Sequence, residues 1–112
     1  MQRRYRLTSN KSFVYLYRKG TCVRTPLLLL YYVPGRYDMK VGFSVSKKVG
    51  KSVVRNKVKR RLKENFRALI PSLAKGYTCL VTAKPAIADA SFADIGAALR
   101  VALVKAGLLE KA

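Results

Sequence analysis

Ten of the 21 residues from Lys47 to Arg67, KKVGKSVVRNKVKRRLKENFR, are Lys or Arg, and only Glu64 carries a carboxylate. Cations at this density repel one another, so the chemistry they suit is the capture of a polyanion. Arg55, Lys57, Arg60 and Arg61 can meet phosphates, and each Arg can do so through two parallel hydrogen bonds. Asn56 adds an amide that donates and accepts without adding charge, although an Asn at this point could equally cap a helix. Val54, Val58, Leu62, Phe66 and Leu69 thread the block at helical spacing, while Asn56, Lys57, Arg60, Lys63, Glu64 and Arg67 fall on the opposite side. The pattern predicts a packed helix that turns a positive face outward. Solubility alone would be served better by charges of mixed sign.

A second set of residues could hold bases. Phe13 and Tyr17 are four apart and share one helix face, and Tyr31 on a following strand could meet them. Unpaired bases stack on such rings with little sequence preference, at about 1–3 kcal/mol per base. The same spacing serves an ordinary core, so the pattern alone leaves both readings open.

Catalytic chemistry is poorly supplied. The chain has no histidine, and its five carboxylates, Asp38, Glu64, Asp89, Asp94 and Glu110, are scattered. Two-carboxylate hydrolysis, a two-metal centre and a Cys/His zinc site are therefore not expected. No dinucleotide-binding or Walker-type glycine loop occurs, Gly42 and Gly50 being only a weak echo of one. Cys22 and Cys79 follow no CxxC pattern and are expected as two reduced thiols.

The whole chain repeats the theme, with 24 Lys and Arg against 5 Asp and Glu, a formal charge of +19 over 112 residues. Half of it is hydrophobic, enough for one core, so residues 1–112 read as a single folded basic domain and not a disordered tail. The apolar run from Leu27 to Val33 is too short to cross a bilayer, and MQRRYRLTSNKSF is not followed by the apolar stretch of a secretory signal. A cytoplasmic protein is expected, with neither a membrane nor a small molecule as its partner.

The elements that must position these residues follow from local signals. Thr8, Ser9 and Asn10 suit an N-cap, and a short helix is expected from about Asn10 to Arg18, stopped by Gly20. Leu27 to Val33 reads as a strand, as does Met39 to Ser46, where Val41, Phe43 and Val45 alternate with Gly42, Ser44 and Ser46. These two runs are expected to pair as a hairpin around PGRYD. The basic helix should run from Ser52 or Val53 to Leu69, ended by Pro71. YTCLVTA then reads as a strand, and Ser91 with Asp94 as a variant capping box opening a last helix. The order helix, hairpin, helix, strand, helix gives an α/β (α+β) two-layer sandwich with about three helices on a small mixed sheet.

At this point the residues resemble a known family, the protein subunit of bacterial ribonuclease P. VGFSVSKKVGKSVVRNKVKRRLKE, Val41 to Glu64, is similar to the family's signature, and Arg55-Asn56-Lys57-Val58-Lys59-Arg60 to its basic "RNR" helix. Arg6-Leu7 with Phe13, Tyr17 and Gly20, and the late TAKP from Thr82 to Pro85, extend the match over nearly the whole chain. Lys57 stands where many members carry a second Arg, and Tyr17 where Phe is common.

The resemblance implies a division of labour. A large catalytic RNA removes the 5′ leader of precursor tRNA using Mg²⁺ bound mainly by that RNA, while the protein binds the RNA and holds the leader. It implies RNA-binding roles for Arg55, Asn56, Lys57, Lys59, Arg60, Arg61, Lys63 and Arg67, with Lys59, Arg60 and Lys63 near the leader or supporting metal-dependent substrate binding. It implies a leader cleft of Phe13, Tyr17, Tyr31, Ser44 and Ser46 with Lys47 and Lys48, the small Gly42–Ser44–Ser46 face leaving it room. It also implies a left-handed βαβ crossover, where general preference alone would predict the right-handed one. The rival reading is a small basic ribosomal protein, which composition cannot separate from this one. A DNA-bending protein would usually offer a dimer interface or a groove-reading arm, and neither is evident.

Overall fold

A computed structural model describes residues 5–7, 9–35 and 39–110. Its elements are α1 (Asn10–Lys19), β1 (Thr21–Arg24), β2 (Leu28–Pro34), β3 (Lys40–Ser44), α2 (Ser52–Leu69), β4 (Tyr77–Ala83) and α3 (Phe92–Lys105). Short 3₁₀ turns at Ile70–Ser72 and Pro85–Asp89 each begin around a proline, which cannot continue a helix or strand ladder. The α/β sandwich of three helices on a four-stranded mixed sheet is the architecture expected.

The strand pairing is not. The sheet order is β1-β2-β4-β3, so β2 and β3 are not neighbours and the expected hairpin between them does not form. β4 enters between them, antiparallel to β2 and parallel to β3, with Leu30 and Phe43 both level with Val81. β2 instead forms its hairpin with β1, a strand the sequence reading missed, which places Cys22 opposite Tyr31. The physical reason is burial. β4 supplies Cys79, Leu80 and Val81, all fully buried, and so needs a partner on each edge, whereas β1 is largely exposed and suits the rim. Thr8 and the Arg36–Asp38 part of the expected turn lie outside the described residues.

One sheet face carries Leu28, Leu30, Val41, Phe43, Cys79 and Val81, which join the buried stripe of α2 and the inner face of α3 in one core. Val58, Leu62, Phe66 and Leu69 of α2 are buried as the stripe requires, and Phe66 meets Phe43 edge-on at 5.8 Å. Each such side chain contributes about 1.5–3 kcal/mol on leaving water. Asn65 seals the helix pair by donating to the Phe92 carbonyl at 3.1 Å, close above Gly96, where a Cβ would lie 2.6 Å from its Oδ1. The Ser91 hydroxyl accepts from the Asp94 N–H at 3.0 Å, the cap that opens α3.

The reverse sheet face meets α1 and the Leu7 segment that precedes it. Leu16 and Leu80 are buried there, apart from the main core. Both thiols are free, Cys22 exposed and Cys79 buried against Met39 with 3.6 Å between the sulfurs.

Candidate nucleic-acid interface

α2 turns Asn56, Lys59, Arg60, Lys63, Glu64 and Arg67 into one groove of about 400 Å³. Asn56, Lys59, Arg60 and Arg67 are exposed and Lys63 is half-buried. The helix begins without an acidic residue in its first turn and without a side-chain cap, so the positive end of its dipole adds to the cationic side chains. Burial, then the charges of Lys59 and Arg6, hold the Lys63 ammonium below its ordinary pKa. A phosphate bound here would relieve that repulsion, which is how a surface stores affinity for a polyanion.

Not every cation of the block joins this groove. Arg61 is half-buried, and its Nη1 donates to the Ala90 carbonyl at 2.9 Å, stitching α2 to the start of α3. Arg55 folds back, its Nε donating to the Gly50 carbonyl at 3.1 Å and its Nη2 to the Ser52 hydroxyl at 3.0 Å. It thereby holds the turn whose Val49 N–H meets the Ser46 carbonyl at 3.1 Å. That turn leaves Lys47 and Lys48 exposed over buried Val49. Lys57 is exposed but does not line the groove.

Two rings of the aromatic set meet directly, and Phe13 sits apart from that contact, against Gly42. Tyr17 and Tyr31 meet edge-on, 4.9 Å between centroids and 79° between planes, and the Tyr17 hydroxyl lies 3.0 Å from Thr82 Oγ1. Tyr17 is 42% exposed, so its ring is anchored at one edge and open on the other side. Burial first, and Cys22 second, raise the Tyr31 phenol above its usual pKa. Phe13 packs against Gly42, where an added Cβ would come within 2.6 Å of its ring. The room left by Gly42 is thus filled by Phe13, and the open part of the strand is at half-buried Ser44 and exposed Ser46. Thr82, level with Ser44 across β3 and β4, is the member that sequence reasoning missed as a site residue. Its signal was there: an outward-facing hydroxyl at the end of a buried strand.

The two surfaces touch. Phe13 and Gly42 share a pocket of about 230 Å³ with Lys59, Lys63, Arg6 and Leu7. Arg6 bridges the free edge of β3 at Val41, and the Leu7 N–H donates to the Val41 carbonyl at 2.9 Å. A strand of RNA could run from cations to rings without leaving the protein.

The sequence model of the Ribonuclease P family matches residues 1–107 of this chain. The chain is 44% identical over 105 residues to the ribonuclease P protein component of Clostridium botulinum strain 657, covering 92% of this chain and 95% of that one. The chain belongs to the ribonuclease P protein family. The Clostridium perfringens strain 13 component is 42% identical over 110 residues, covering 91% and 88%. The Staphylococcus aureus RNase P protein superposes with a TM-score of 0.87 at 30% identity, over 95% of this chain and 98% of that one. The Thermotoga maritima RNase P protein, 23% identical with a TM-score of 0.81 over 89% and 96%, shares the fold. As a ribonuclease P protein, this chain is a subunit of the endoribonuclease that matures tRNA 5′ ends, and its partner is RNA; the ribosomal-protein reading is not favoured. Among the described residues, no helix is long and apolar enough to cross a membrane.

Proposed function

We propose that the outward face of α2 holds the catalytic RNA and the phosphates next to the cleavage site, and that the Phe13–Tyr17–Tyr31 surface holds the precursor's 5′ leader, in the cytoplasm. The observation that carries this reading is the shared pocket in which Phe13 meets Lys59 and Lys63, because it joins an electrostatic surface to a stacking one. Leaders differ in sequence from one precursor tRNA to the next. Phosphate contacts and ring stacking both tolerate that variation, since neither reads base edges. Lys47, Lys48, Ser44 and Ser46 extend the same surface along the turn before α2.

The bond-breaking chemistry falls to the RNA and its Mg²⁺. The groove and pocket are dominated by the ammonium and guanidinium groups of Lys59, Lys63, Arg6, Arg60 and Arg67, with Glu64 as the one carboxylate among their lining residues, a set whose net positive charge opposes a divalent cation. No cluster of three metal-ligating side chains occurs among the described residues. What the protein contributes is position: it lowers the cost of bringing two polyanions together and fixes the leader relative to the cut. Reconstitution tests this. Protein alone should leave precursor tRNA intact at any Mg²⁺ concentration, and protein with the RNA subunit should release the leader at the mature 5′ end. Cleavage at that position by RNA-free protein would overturn the division of labour.

A further inference from the structure

The cationic surface does not stop at Lys63. The groove along α2 and the pocket beside Phe13 share Lys59 and Lys63, and that pocket shares Arg6 and Leu7 with a third hollow of about 660 Å³. This hollow lies along α1 at the Lys40–Thr78 end of the sheet, whereas Tyr17 sits at the Ser44–Thr82 end. Lys11 and Tyr15 line it from α1, four residues apart and so on one helix face. Tyr15 is 55% exposed, too open to be a core residue. Arg6 and Lys11 are exposed, Lys40 is half-buried, and no carboxylate lines the hollow among the described residues. An exposed tyrosine alone needs no explanation. A tyrosine ringed by three cations, at the end of a continuous cationic track, does.

We propose that this hollow is a second RNA site, where an unpaired segment of the catalytic RNA stacks a base on Tyr15 and sets its phosphates against Arg6, Lys11 and Lys40. The occupant is assigned to the RNA subunit because the track reaches the hollow from α2 by way of Lys59, Lys63 and Arg6 and ends at the Lys40–Thr78 end of the sheet, away from Tyr17 and Tyr31; of the rings given to the leader it passes Phe13 alone. Stacking on an exposed ring beside a basic track is the mode by which single strands are held without sequence preference. The inference rests on the reading of α2 as the RNA-holding face.

Titration of the full chain into a fluorescein-labelled transcript of the ribonuclease P RNA tests it. Tyr15→Ala should weaken binding about 5- to 150-fold, and Tyr15→Phe should restore it. Lys11→Ala with Lys40→Ala should lower the slope of log Kd on log salt by about one to two. Thermal melts of the Tyr15 variants should match wild type, since Tyr15 is exposed, and a melt of the Lys11→Ala, Lys40→Ala protein confirms that half-buried Lys40 is not needed for folding before its slope is read. Unchanged affinity and slope in these variants, with both lost on replacing Lys59, Arg60 and Lys63 by Ala, would overturn the second site and leave the function of α2 standing. No loss in any variant would remove the reading of α2 as well. A loss seen only when reconstituted holoenzyme binds a long-leader precursor, with affinity for the RNA transcript unchanged, would overturn the assignment to the RNA subunit.

Discussion

The Tyr17 hydroxyl lies 3.0 Å from Thr82 Oγ1, 65 residues further along the chain. The bond pins the tip of an α1 side chain to the strand at the centre of the sheet, while Tyr31 supports the same ring from its edge at 4.9 Å. A ring held at two points offers a fixed face to a base, with little freedom left to lose on stacking.

Tyr17→Ala should therefore weaken holoenzyme binding to precursor tRNA by about 1–3 kcal/mol and leave mature tRNA unaffected. Phe13→Ala should do the same, with an added stability loss because Phe13 also covers Gly42. Paired Kd measurements with thermal melts decide the matter: equal losses for precursor and mature tRNA, tracking a large fall in melting temperature, would make the rings core and not platform.

Gly42→Ala probes the same surface from below. The new methyl would lie 2.6 Å from Phe13 Cε1 and 3.0 Å from the Leu7 carbonyl oxygen, so ring and N-terminal segment must both move. Overpacking of this kind costs about 1–3 kcal/mol. Denaturant unfolding should register that loss, and an unchanged midpoint would show that Phe13 is free to swing aside.

On α2, replacing Lys59, Arg60 and Lys63 together with Ala should weaken RNA binding and flatten its salt dependence by about one unit per lost phosphate contact. Arg61→Ala should behave in the opposite way. It removes the bond to the Ala90 carbonyl and should lower stability by about 1–3 kcal/mol, with the salt slope nearly intact. A steep drop in slope for Arg61→Ala would place that side chain among the RNA contacts.

The cysteines give a pH-dependent check on the core. Burial raises the Cys79 thiol from 9.0 to about 12, so the folded protein keeps it protonated where the unfolded chain has already released the proton. Its contribution to stability is fully present below pH 9 and is lost as the pH rises toward 12. At pH 8 iodoacetamide should label exposed Cys22 and spare Cys79, both reacting once the chain is unfolded. Rapid double labelling of native protein would contradict the burial.

α2 was legible almost to the residue, because an apolar stripe of period 3.6 and Pro71 mark its course and end. The split between Arg60 and Arg61 was not. Neighbours in a helix point about 100° apart, and only the placement of Ala90, 29 residues on, decides that Arg60 lines the outward groove while Arg61 meets a carbonyl. Strand identity was readable from alternation, but strand order was not. Alternation records which face of a strand is buried and says nothing of which edge is paired, so proximity in sequence favoured the wrong partner for β3. β1 escaped because a mostly exposed rim strand carries no hydrophobic period to detect.

The late arrival of β4 bears on how the chain comes off the ribosome. Until Tyr77–Ala83 have been synthesised, β3 has no strand beside it and β2 has only β1. The apolar stripe of α2 must wait as well, since 11 of the 18 other residues in its buried core lie from Cys79 onward. Two-thirds of the protein, including its most cationic stretch, therefore emerges before the sheet can close. Folding is governed by these distant pairings and should be slow for a domain of this size. A fragment ending at Leu73 should stay unfolded, and RNA present during synthesis would meet an open basic chain before it met the finished surface.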